Sequence, residues 1–66
     1  MKLPKFNSVK RHIESDSMKG WCTTCGKWTH DSCEPDAHEY TCPKCNKPTV
    51  YGAEELLVQN LIGDLT

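Results

Sequence analysis

Cys22-x2-Cys25 and Cys42-x2-Cys45, with sixteen residues between the pairs, constrain this chain more than any other feature of its sequence. A two-residue gap in a tight turn aims both sulfurs at one ion and turns nearby backbone N–H groups toward the thiolates. The residue after each second cysteine must take a positive φ, which Gly26 and Asn46 do at low cost. Pro43 stiffens the second turn. Four thiolates in a tetrahedron at ~2.3 Å suit zinc, a d10 ion with no geometric demand of its own. Cys22, Cys25, Cys42 and Cys45 are therefore the expected ligands of one Zn2+ per chain. Iron in the same cage is the alternative, since tetrahedral thiolate suits both metals.

The length makes such a site useful. At 66 residues, 36% hydrophobic and 26% charged, the chain buries too little apolar surface to rest on a hydrophobic core alone. Five cysteines close no disulfide framework and point to metal ligation instead. No apolar run approaches the ~20 residues needed to cross a bilayer. The basic start, MKLPKFNSVKRH, lacks the apolar stretch and cleavage site of a signal peptide. The expected compartment is the cytoplasm, or a host's cytoplasm for a phage-encoded chain.

Three segments follow from patterning. Residues 1–20 carry a net charge of +3 and read as a basic arm, possible as a short helix from Ser8 to about Ser15 with Ser8 as cap. Residues 21–52 form the cysteine region, with strand-like stretches at 21–22, 27–29, 39–41 and 49–51. Two hairpins folding over one ion are expected there, with Trp28, Tyr40, Val50 and Tyr51 shielding the sulfurs. Residues 53–66 hold the strongest helix signal, over 53–62, with Glu54 and Glu55 in its first turn and Gly63 as the expected C-terminal stop. Leu57, Leu61 and Leu65, flanked by Val58 and Ile62, form its apolar stripe. That stripe either packs on the metal region or docks on another protein or a second copy of the chain. No internal repeat is read beyond the two cysteine turns.

CTTCG and CPKCN, with YTCPKC reading like the second knuckle of rubredoxins, resemble a rubredoxin-like zinc ribbon over residues 21–51, of the kind seen in small phage and prokaryotic proteins. The resemblance implies a small metal-stabilised β domain: two zinc knuckles on short β-hairpins, followed here by a C-terminal α-helix. Its members include iron electron carriers and zinc modules that contact nucleic acid or protein. CTTCGKWTHDSC followed by YTCPKC also resembles the C-terminal half of a PHD finger, a cross-braced two-zinc module. In that family the positions matching Cys22, Cys25, Cys42 and Cys45 bind one zinc. Those matching His30 and Cys33 serve the other zinc, together with an upstream cysteine pair. This chain has no upstream cysteine, so the single four-cysteine site is what carries over.

His30 and Cys33 are accessory candidates, as ligands of a second metal or as a thiol beside a histidine. The competing reading makes Cys33 a small core residue. Four thiolates leave zinc no open position for water or substrate, so no enzyme is expected. The first functional expectation is a non-catalytic adaptor or regulator that binds another protein. By fold analogy its targets are transcription or host-defence machinery. The second is nucleic-acid binding through Lys10, Arg11, Lys19 and Trp21, which strong salt dependence would reveal. The third is electron transfer through iron, which the red colour of the oxidised protein would reveal.

Overall fold

A computed structural model describes residues 1–15 and 17–64. In chain order the elements are α1 (Phe6–Glu14), β1 (Gly20–Cys22), β2 (Lys27–His30), β3 (Val50–Gly52) and α2 (Ala53–Val58). The strands make one antiparallel sheet in the order β2-β1-β3, and Tyr40 adds a single bridge to Val50. The architecture is therefore not two separate hairpins. Trp21 pairs with Trp28 on one side and Tyr51 on the other, so β1 serves both cysteine turns as the shared central strand.

Side chains alternate across this sheet with the period of two that a pleated strand imposes. On one face Cys22 and Val50 join Cys33, Ala37 and Cys42, with Cys25 and Cys45 packed against them. On the other face Trp21, Trp28 and Tyr51 pack on Val9, Ala53, Leu56 and Ile62. The sheet thus divides a sulfur-lined layer from a helical one. Of the four residues expected to shield the sulfurs, only Val50 does so. Trp28 and Tyr51 point to the helical layer, and Tyr40 is exposed beside the His30 ring.

The stretch at 1–20 supplies half of the helical layer. Val9 is fully buried and Ile13, one turn on, packs on the same cluster. Ser8 does not cap α1, which starts two residues earlier. Its hydroxyl accepts from Trp28 Nε1 at 3.1 Å, and His12 stacks on the same ring at 4.0 Å between centroids. The exposed N–H of Phe6 is met from the far end of the chain, where Asp64 Oδ1 accepts it at 2.7 Å. A carboxylate there satisfies an orphan donor and complements the helix dipole. Lys2 N–H to Thr23 O and Gly63 N–H to Pro4 O, both 2.8 Å, hold the first residues between the first cysteine turn and the chain's end.

The second helix is shorter than its apolar pattern implies. It stops at Val58 because Asn60 takes the left-handed conformation at φ 61° that was expected of Gly63. Leu61 N–H then bonds to Leu56 O at 2.8 Å and Asn60 N–H to Leu57 O at 3.1 Å, which is the Schellman closure. The turn breaks the stripe. Leu56 becomes the fully buried core residue, Leu61 folds back onto the same cluster, and Leu57 and Val58 face outward. Leu65 lies outside the described residues.

Candidate metal centre

Each cysteine turn is built the same way. Gly26 N–H bonds to Cys22 O and Asn46 N–H to Cys42 O, both at 2.8 Å, and Gly26 (φ 75°) and Asn46 (φ 60°) occupy the left-handed region the spacing calls for. Further N–H groups point at sulfur: Cys25 N–H to Cys22 Sγ at 3.3 Å and Lys44 N–H to Cys42 Sγ at 3.4 Å. Such donors stabilise thiolate over thiol.

The four sulfurs meet. Cys22 and Cys45 Sγ lie 3.6 Å apart, Cys25 and Cys42 Sγ 3.8 Å apart, and all four fall within 4.8 Å of one another. A tetrahedron with metal–sulfur bonds of ~2.3 Å has edges of roughly 3.8 Å, so a metal ion fits this donor set. Cys22, Cys25, Cys42 and Cys45 can hold one. Cys22 and Cys42 are buried, whereas Cys25 and Cys45 are only partly covered, so the cage has an inner and an outer pair.

Two further residues reach the sulfurs, and both escaped the motif reading. Thr29 Oγ1 lies 3.2 Å from Cys42 Sγ, and Thr49 Oγ1 lies 3.2 Å from Cys22 Sγ. The signal was available in CTTCGKWT and CPKCNKPT, where each pair is followed after three residues by a threonine. The repeat is therefore longer than two cysteine turns. Each threonine serves the other turn's first cysteine: Thr29 from the sulfur face of β2, and Thr49 from the residue just before β3.

These contacts separate the sulfurs electrostatically. Burial pushes the Cys42 thiol up, but the Thr29 hydroxyl and the N–H groups of Cys45 and Lys44 outweigh it and bring it down to about 6. At Cys22 burial is likewise outweighed, by Thr49 and the N–H groups of Cys25 and Thr24, so its thiol is lowered. Cys25 is pushed up to about 12 by burial and by the thiols of Cys22, Cys45 and Cys42. Without a cation, four adjacent thiolates repel. A divalent ion removes that competition and lets all four deprotonate.

The remaining candidates lie outside the four-cysteine group. Cys33 is fully buried in the sulfur layer but turned toward Gly20, where an added Cβ would lie 2.7 Å from its Sγ. Burial and the Glu34 carboxylate push its thiol up to about 11, as befits a packing residue. His30 Nδ1 accepts Ser32 N–H at 3.2 Å and its ring lies edge-on to Tyr40. Among the described residues the four cysteines are the only group of three or more metal-ligating side chains drawn together, and His30 and Cys33 are not part of it. Lys19 is paired with Asp31 at 2.6 Å, and Trp21 donates Nε1–H to Lys2 O while standing edge-on to Trp28. Lys10 and Arg11 are exposed on α1.

No protein-family model, curated protein or solved structure matches this chain. The geometry of the site therefore carries the functional reading. No helix among the described residues is long and apolar enough to cross a membrane.

Proposed function

We propose that the chain is a non-catalytic adaptor: a module whose four thiolates hold one Zn2+ and whose outer surface binds another protein. The observation that carries the metal half is the convergence of four sulfurs within 4.8 Å, with 3.6 and 3.8 Å between pairs across the two turns. Four protein thiolates fill the coordination sphere of zinc and leave no place for substrate, which favours a structural ion over a catalytic one. The ion supplies charge neutralisation and a cross-link between residues 22–25 and 42–45. The chain's own residues supply the rest: the two left-handed turns position the sulfurs, and the sheet fixes one turn against the other.

The protein-binding half is supported by α2. Leu57 is 38% and Val58 76% exposed, side by side at the end of a helix whose other apolar residues are packed. Adjacent exposed apolar residues at a helix end are a frequent anchor for a partner's groove or face. Net charge is −1, and four thiolates with a divalent ion make it more negative, which disfavours a phosphate backbone as the partner.

Native mass spectrometry with elemental analysis tests the first half, and one zinc per chain is expected. Iron would send the reading to electron transfer. For the second half, immobilised zinc-loaded protein is compared with Leu57→Asp/Val58→Asp and with Lys10→Glu/Arg11→Glu. A protein captured by the unaltered chain and the second variant but not the first supports the adaptor. Salt-sensitive nucleic-acid binding lost only with Lys10 and Arg11 overturns it.

A further inference from the structure

The two threonines that follow the cysteine pairs occupy equivalent places. Thr29 is 8% exposed and Thr49 is half-buried, and each sets its hydroxyl 3.2 Å from the buried sulfur of the opposite turn. Thr49 is itself oriented. Thr24 Oγ1 donates to Thr49 Oγ1 at 3.2 Å, which leaves the Thr49 proton free to point at Cys22 Sγ, while Thr23 N–H holds Thr49 O at 2.9 Å. A hydroxyl beside a thiol can either give or accept. Beside a metal-bound thiolate it can only give, because the sulfur no longer carries a proton.

We infer that Thr29 and Thr49 are positioning residues that donate hydrogen bonds to the metal-bound sulfurs of Cys42 and Cys22, making these the electron-poor, firmly held pair and leaving Cys25 and Cys45 as the electron-rich outer pair. The inference rests on the metal reading above and adds a division of labour among the ligands. Its physical basis is that a donor to sulfur draws charge away from the metal–thiolate bond and stabilises the dianionic four-thiolate complex in its partly buried site. The exchange between turns has a further effect. Each knuckle's inner sulfur is stabilised by a residue that follows the other knuckle, so neither half reaches full affinity alone.

The test uses the full chain loaded with Co2+, then titrated with Zn2+. Cobalt reports sulfur directly through its thiolate-to-metal charge-transfer absorption. Thr29→Val and Thr49→Val remove the hydroxyl and keep the branched shape. Each is expected to weaken metal binding roughly tenfold or more and to move the charge-transfer band to lower energy, since an unbonded sulfur lone pair lies higher. Thr29→Ser and Thr49→Ser are expected to restore both readouts. Unchanged affinity and band in the valine variants would overturn the inference. So would weakened binding that serine does not restore, because that is packing alone. A chain that takes up no Co2+ in its unaltered form overturns the metal reading itself, a separately visible failure. Should the valine variants not fold, the unaltered protein loaded with 113Cd decides. Hydroxyl protons of Thr29 and Thr49 coupled to the metal are expected, and coupling from backbone N–H protons alone refutes the assignment.

Discussion

Leu56→Ala is the sharpest test of how this chain is held together. Leu56 is fully buried and is the largest fully buried side chain among the described residues, lying against Val9, Ala53 and Ile62 under the rings of Trp21, Trp28 and Tyr51. Truncation removes three carbons and leaves a cavity that a layer with only four buried apolar residues has little material to fill. Leu→Ala at such sites costs about 2–5 kcal/mol, and about 3 is the expected value here. A domain of this length has roughly 3–10 kcal/mol in all, so a large share is lost. At about 4–8 °C per kcal/mol for a small domain, the melting temperature falls by roughly 12–24 °C. Leu57→Ala is the control one position along. Its side chain is 38% exposed, so it should cost about 1 kcal/mol or less. The assay is thermal unfolding by circular dichroism of the metal-loaded protein at fixed free Zn2+, because the ion shifts the midpoint by mass action. Equal losses for the two variants, or a larger one for Leu57→Ala, would refute the assignment of the helix face and the division into two layers.

Three other outcomes are expected. Cys42→Ser, or excess chelator on the unaltered chain, should abolish cooperative melting, whereas Cys33→Ser should keep one metal per chain by elemental analysis and lose only stability, through a hydroxyl placed in a buried site. Asn60→Ala should lower the melting temperature by the equivalent of about 1 kcal/mol, because alanine is strained at φ 61°, while Asn60→Gly should be neutral or slightly stabilising. His12 is held below its ordinary value by burial, then by Lys19 and Arg11, so the unfolded chain binds the proton more readily. The stability this histidine gives is present above about pH 6.5 and is lost as pH falls below that value. Melting curves between pH 5 and 7 for the unaltered chain and His12→Gln should converge at the acid end, and a constant gap would refute the linkage.

What the sequence disclosed was the part written in local chemistry. The four cysteines and the left-handed turns at Gly26 and Asn46 are readable because a two-residue spacing admits few geometries. The helical layer is harder to read. Rotating a six-residue helix by one position exchanges Leu56 for Leu57 on the buried face, and both satisfy a periodic pattern. The rotation is set by α1 and by the carbonyls of loop residues: Pro35 O accepts Glu55 N–H at 3.0 Å and Ala37 O accepts Gly52 N–H at 3.0 Å. Asn60 and Gly63 are both residues that end helices, and only the packing of Leu61 chose between them. Val9 and Ile13 were visible as apolar residues at helical spacing, but not as a core, because the buried residues they join, Ala53, Leu56 and Ile62, lie forty or more residues away. Thr29 and Thr49 were legible only by aligning the two halves of the chain past their cysteines.

The bond between Asp64 and the start of α1 has a consequence for the order in which the molecule can be completed. Synthesis delivers Phe6–Glu14 before every group it packs on: first Trp21 and Trp28 of the sheet, and only later Ala53, Leu56 and Ile62. By the time Thr49 is out, both cysteine pairs and both threonines are present, so all four candidate ligands are in place before α2 is made. The first helix can meet Trp21 and Trp28 early, but its layer closes only when α2 and residues 61–64 arrive. Assembly is thus vectorial on the sulfur side and a closing clasp on the helical side. A chain stalled before Ala53 would leave Val9 and Ile13 without Ala53, Leu56 and Ile62 to cover them.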